Sequence, residues 1–386
     1  MSLIALTVLT VLYAQGAYAA YVPDEIRDGV DNALDMVDLS AWDSMFYSLP
    51  EDIKALWGGM TPGEIVGNHA LGEAGYMGPT LQSGLPALLK GALPDVLPVI
   101  VSLLVVAILT GVLKAMSESG MSGLNDIVGL VCQCFAIGVA MASFLSMAVL
   151  ARNCIAQVTA FIEMASPVLI TLLTALGGVT TSGIIKPAMA MLSSGVSFAL
   201  QHVVMPVILV GGVLGVLNNI TGRVQLGQLF QLSKTAVKWM IGFLFTLYFA
   251  ITSLQGLTVF AFDSVSIRTA KFAIDKFIPI VGGMVSGTVD TVLGCILLVK
   301  NAVGLAAIIL SFTIICVPLT NIAMAMLAFR LAAGVCEPIA DPRLPKMLAS
   351  LADVLTYLFA AVVSLFVMFV ITVALIMGAG GTAIGG

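Results

Sequence analysis

The sequence predicts an all-α, polytopic membrane protein: about seven or eight apolar segments, some broken or re-entrant, with a small helical region on their N-terminal side. Three observations predict it. The 386 residues are 60% hydrophobic and only 10% charged, against about 25% charged in soluble domains. Charge is segregated, because residues 21–93 hold 11 of the 21 acidic residues and three of the 16 basic ones. From Pro94 onward, apolar runs reach the ~20 residues that a hydrocarbon core requires.

Taken in order, residues 1–19 read as an export signal peptide. An apolar stretch from Leu3 to Tyr13 precedes the small-x-small triplet Ala17-Tyr18-Ala19, which fits cleavage before Ala20. No Lys or Arg precedes that stretch. Residues 20–93 then form an acidic, amphipathic, extracytoplasmic region. Ile26, Val30, Leu34 and Val37 recur at helical spacing, with Asp24, Asp28, Asp31, Asp35 and Asp38 between them. Ser48-Leu49-Pro50-Glu51 and Thr61-Pro62-Gly63-Glu64 both carry a capping box with Pro at the first helical position. Two or three short helices are expected, small for an independent core. They should lie on the membrane face of the protein or against a partner, with Trp42, Phe46 and Trp57 at the bilayer interface.

The transmembrane domain covers 94–378, followed by a Gly-rich tail at 379–386. Apolar segments lie near 95–115, 127–150, 155–176, 187–217, 237–260, 277–299, 303–329 and 352–377. The 155–176 segment holds Glu163 and Pro167 and is followed by Gly177-Gly178. The 277–299 segment holds Pro279, Gly282-Gly283, Gly287 and Asp290. Both have the composition of broken helices or re-entrant hairpins, which exist at membrane depth only where protein or water shields the backbone. A shift of 112 residues puts Glu163 on Asp275, Pro167 on Pro279, Pro206 on Pro318, Gly222 on Gly334 and Lys234 on Lys346. The candidate repeats are 160–261 and 272–373. Three full spans per copy would invert one copy relative to the other, a transporter signature, whereas a re-entrant first element would leave them parallel. An eight-span topology puts Lys114, Lys186, Arg268, Lys271, Lys276, Arg330, Arg343 and Lys346 inside and Arg152, Arg223, Lys234, Lys238 and Lys300 outside, a weak bias in the usual direction.

Residues able to carry chemistry are few. Ionisable groups within spans usually face the protein interior or water, so Glu163, Asp275, Asp290 and Lys300 are candidates for a polar pathway or for structural pairing. Asp290 and Lys300 are about 15 Å apart along one straight helix, too far to pair on it. His202, four residues before Pro206, reads more readily as a packing histidine than as a proton relay. Gly211-Gly212 with Gly215, and Gly283 with Gly287, give small-x-x-x-small spacing for close helix approach. Pro167, Pro206, Pro279 and Pro318 are candidate hinges. The six cysteines all lie in or beside apolar segments, so they read as buried thiols and not as a disulfide framework. His69 and His202 make no metal set with them. No P-loop, nucleophile elbow or H-E-x-x-H motif is present, and no basic patch with interleaved aromatics suggests nucleic acid. No enzyme and no cofactor is expected, and the lipid bilayer is the first partner.

The stretch SIRTAKFAIDKFIPIVGGMVSGTVDTVLGCILLVKNAVG, Ser266 to Gly304, and IKPAMAML at Ile185–Leu192 resemble the stage III sporulation protein AE family of endospore-forming bacteria. The order of parts (export signal, short polar region, many spans) agrees over essentially the whole chain. The resemblance implies a multi-pass subunit in the mother-cell membrane facing the forespore. It implies partners among the other stage III A proteins, including the ATPase-like AA member, and indirectly the forespore stage II protein Q. Their complex resembles a secretion apparatus and is thought to sustain forespore development as a channel. The resemblance carries no catalytic residues. The alternatives are a self-contained ion-coupled transporter, with inverted repeats meeting at a cavity lined by Glu163 and Asp275, and an assembly scaffold for the complex.

Overall fold

The computed structural model describes residues 24–72 except 50, 55, 56 and 58, a few positions between 97 and 112, and residues 122–220, 226–277, 282–338 and 342–379. The export signal, most of the 95–115 segment, Pro279 and the tail beyond Ala379 lie outside the described residues. Every regular element described is a helix.

The acidic region folds into four short helices: α1 (Asp24–Leu34), α2 (Ser40–Tyr47), α3 (Glu51–Lys54) and α4 (Pro62–Ala70). The second capping box forms as the spacing predicts. Thr61 Oγ1 accepts the Glu64 N–H at 3.3 Å, and Glu64 Oε2 accepts the Thr61 N–H at 2.8 Å. At the first, Ser48 closes α2 instead. Its hydroxyl and its N–H both donate to the Met45 carbonyl, and Glu51 pairs with Lys54 at 2.9 Å. A residue already ending one helix cannot also turn its side chain to the start of the next.

Five long helices follow: α5 (Ser122–Ala175), α6 (residues 179–220), α7 (Gly227–Phe277), α8 (Gly282–Cys336) and α9 (Arg343–Gly378). All five are long and apolar enough to cross a membrane. Expected segments fuse: 127–150 and 155–176 are one helix, as are 277–299 and 303–329. Pro167 and Pro318 are accommodated inside α5 and α8. Each proline removes one N–H and costs one ladder bond, yet each helix continues through it. The turn after α5 falls at Gly177-Gly178. Gly177 adopts φ 81°, and the Gly178 N–H bonds Leu173 O while the Gly177 N–H bonds Thr174 O, a Schellman closure that needs the left-handed residue. In α6, two π-helical turns, Met191–Val196 and Leu200–Val204, run up to Pro206. They take up the misfit that the proline brings to the ladder.

Side-chain contacts fix the helix directions. Lys300 meets the end of α9 at Ala379, and Arg330 meets Asp353 near its start, so α8 and α9 are antiparallel. Lys234 with Asp353 and Tyr248 with Thr372 make α7 parallel to α9. Thr159 with Ser197, and Phe144 against Gly212, make α5 and α6 antiparallel. The stretches 160–261 and 272–373 therefore run up-down-up in the same sense. The reason is that α7 ends the first stretch and begins the second, so no inversion arises. Lys234 and Arg330, expected on opposite sides, stand at the same end. The core lies along α8, flanked by α9, α5 and the short helices.

Candidate charge levels and polar face of the bundle

Two levels of charge mark the bundle, one partly exposed and one buried. At one end, Lys234 Nζ reaches Asp353 Oδ2 at 2.7 Å and Arg330 approaches Asp353 Oδ1 at 3.8 Å. Lys234 also lies 5.0 Å from the centroid of the Phe230 ring. Beside this cluster, Asn219 donates to Ser350 at 3.2 Å and to Gly215 O at 2.7 Å, so its side chain is bound within the bundle. At the other level, Lys300 is 0% exposed. Its ammonium donates to the carbonyls of Ala379 and, at 3.2 Å, Met377. The last carbonyls of a helix have no intrahelical partner, and a cation there is favoured by the helix dipole. From Asp353 to Ala379, α9 rises roughly 39 Å, the thickness of a bilayer with its headgroup regions.

The sequence-derived candidates are not brought together. Lys300 caps α9. Glu163 is on the exposed side of α5, away from the core. His202 is exposed on α6, its ring stacked on Phe198 at 4.6 Å and its Nδ1 3.3 Å from Phe198 O. The side chains of Asp275, Asp290, Gly283 and Gly287 lie outside those described. Pro206 is exposed and Pro318 buried. Among the described residues, no group of three His, Cys, Asp or Glu could hold a metal. Five described cysteines are unpaired, four of them buried.

Glycines answer whether the small residues pack within the chain. Gly211 faces Ser233, Gly215 faces Phe230 and Ser350, and Gly212 admits the Phe144 ring so closely that a Cβ would overlap it. Gly304 admits Met377, where a Cβ would come within 2.6 Å. These contacts are all intramolecular.

The short helices carry their aromatics into the bundle and not to a bilayer interface. Trp42 is 0% exposed and packs edge-on to Phe161 at 5.3 Å, and Phe161 packs on Phe369 at 5.9 Å. The Trp57 indole N–H donates to Thr313 Oγ1 at 3.0 Å. Gly29 sits on Cys295, where a Cβ would come within 2.6 Å of sulfur. Trp42 and Trp57 have large apolar bodies, and α5, α8 and α9 offer a better cover than the headgroups.

The architecture is thus five apolar helices with an acidic helical region docked on them. A family model described as stage III sporulation protein AE matches residues 61–380. The chain belongs to the stage III sporulation protein AE family. Stage III sporulation protein AE of Bacillus subtilis (strain 168) is 27% identical over 230 residues, which are 60% of this chain and 58% of that protein. The similarity thus spans a little over half of that relative's length. No solved structure matches.

Within this member of the stage III sporulation protein AE family, part of the Ser266–Gly304 block acquires a physical account. Cys295 seats α1, Lys300 caps α9 and Gly304 lets α9 approach. The block belongs to the junction of α8 with its neighbours. The sequence reading missed Asp353 as the centre of the opposite cluster. Its one available signal was a lone carboxylate at the edge of the 352–377 apolar run.

Proposed function

We propose that this chain is a non-enzymatic, multi-pass subunit of a sporulation channel or secretion-like complex in the mother-cell membrane, with its acidic short helices on the extracytoplasmic side. The observation that carries the reading is the docked architecture in a stage III sporulation protein AE family member. Two charge levels a bilayer apart tie the helices together, Lys300 by capping α9 and Asp353 by ion pairing. A bundle with a filled core suits a fixed membrane part that works with other proteins. The other stage III A proteins, including the ATPase-like AA member, are the partners the reading implies, with the forespore stage II protein Q reached through them. The self-contained transporter has less support. Its inverted repeats would need opposite senses, and its Glu163 would need to face inward.

The test is complementation with cross-linking. In a sporulating strain lacking its own stage III AE protein, this chain should restore heat-resistant spores, and a photo-reactive residue at Gln228 or Glu337 should cross-link other stage III A proteins. Solute uptake by the purified chain alone in liposomes would replace this reading with the transporter.

A further inference from the structure

The end of the bundle marked by Asp353 sets cations inside an apolar collar. On α7, Lys234 and Lys238 lie between the exposed Leu232 and Trp239. On α8, Arg330 stands between the exposed Leu327 and Leu331. On the remaining sides α5 exposes Phe135 and Leu145, and α6 exposes Val213 and Leu217. Phe144 against Gly212, and Asn219 with Ser350, bring these helices to the same level. Large apolar side chains exposed on four helices at one level are a surface for lipid. Trp42 and Trp57 seat the short helices elsewhere, against Phe161 and Thr313. Thr313 lies roughly 25 Å along α8 from Arg330.

Within the collar the charges do not balance. Lys234, Lys238, Arg330 and, two turns before Asp353 on α9, Lys346 set four cations against one carboxylate. The next acid among the described residues, Glu337, stands two turns beyond Arg330 at the end of α8. Lys234 holds one oxygen of Asp353 at 2.7 Å. Arg330 only approaches the other, at 3.8 Å, and its side chain is 56% exposed. A guanidinium fork matches phosphate in bidentate geometry, and a cation in apolar surroundings is stabilised by an anionic partner.

Beside these cations α9 leaves one face uncovered. Lys346, Ala349, Asp353, Thr356 and Ala360 recur at three- and four-residue spacing, each exposed or half-buried, and Val367 and Ile371 continue the face. On one side α8 borders it, Met326 meeting Thr356 and Arg330 meeting Asp353. On the other side α7 borders it through Lys234. The face is a furrow between α7 and α8, cationic at its mouth and apolar from Ala360 onward.

We propose that this furrow binds one anionic phospholipid of the surrounding leaflet, its phosphate on Arg330 and Lys346 and one acyl chain along α9. Asp353 stays with Lys234, so the phosphate replaces only the longer contact to Arg330. A zwitterionic lipid fits less well, because its ammonium adds a fifth cation beside the four. The inference does not depend on which complex the chain serves.

The test uses the full chain in detergent, titrated with dioctanoyl phosphatidylglycerol and read by its thermal unfolding midpoint. The midpoint should rise as the folded chain binds lipid. Half the rise should need at least roughly tenfold more lipid for Arg330→Gln and for Lys346→Gln, and the parent's concentration for Arg152→Gln, a cation outside the furrow. No rise, an equal rise with dioctanoyl phosphatidylcholine, or a parent-like titration of either furrow variant would overturn the proposal. Inorganic phosphate alone reproducing the rise would replace the lipid with a free anion. A second measurement needs no variant. In liposomes, phosphatidylglycerol with a photo-reactive acyl chain should label residues 349–360 well above the outer face of α7 around Phe243, and labelling no stronger than at Phe243 would sink the furrow.

Discussion

Lys300 is a cation placed where the chain would otherwise leave carbonyls bare. Its ammonium meets the Met377 and Ala379 carbonyls at the end of α9, and an apolar side chain of similar length fills the space without supplying donors. Lys300→Met should cost about 1–3 kcal/mol, the penalty of buried acceptors left unpaired, read as a lower unfolding midpoint in detergent. A midpoint at or above the parent's would show that the capping bonds carry no stability. His69 on α4 illustrates the opposite kind of residue, an ionisable group kept neutral. Burial pushes its imidazole below its ordinary value, only partly offset by a backbone hydrogen bond at Ile65. The unfolded state then binds a proton more readily than the folded one. The stability this group contributes is present above the unfolded value of about 6.5 and lost as pH falls through it. Trp42 and Trp57 fluorescence should report loosening of the short helices below about pH 6.5, and His69→Gln should flatten that dependence.

At the scale of elements, the contact between α5 and α6 depends on what is missing from one position. Gly212 has no side chain, and Phe144 occupies the space a Cβ would take. Phe144 is 0% exposed, so its ring has no vacant direction to move. Gly212→Val should destabilise by about 1–3 kcal/mol as an overpacked contact. Phe144→Leu in the same chain should recover part of that loss, because residues in contact are not additive. Denaturant midpoints of the two single variants and the double variant decide the point, and strict additivity would mean the helices do not meet there.

For the whole molecule, the helix directions make a claim about sides. The starts of α7 and α9 and the end of α8 stand together, tied by Lys234, Arg330 and Asp353. Gln228→Cys and Glu337→Cys should therefore label from the same side of the membrane with an impermeant reagent in intact cells, and Ser182→Cys, at the start of α6, from the other. Labelling of 228 and 337 from opposite sides would break the bundle described here. The same measurement separates a parallel pair of up-down-up stretches from the inverted pair that the transporter reading requires.

The helical membrane class, the family, the acidic helical region and the Thr61–Glu64 cap were all legible in the amino-acid order. The class and the cap are written in composition and in residues within four positions of one another, and the family in the longer block Ser266–Gly304. Hydropathy also located apolar runs, but it could not say that Pro167 lies inside a continuous helix or that Lys300 and Asn301 are mid-helix residues and not a boundary. The place of Lys300 depends on an acceptor 79 residues away in the chain. Where Trp42 and Trp57 bury, which charges share Asp353 and which side of α5 faces outward emerge only from the packed helices. All three are set by distant helices meeting at one depth, and local spacing holds no record of which partner an apolar or charged face will find.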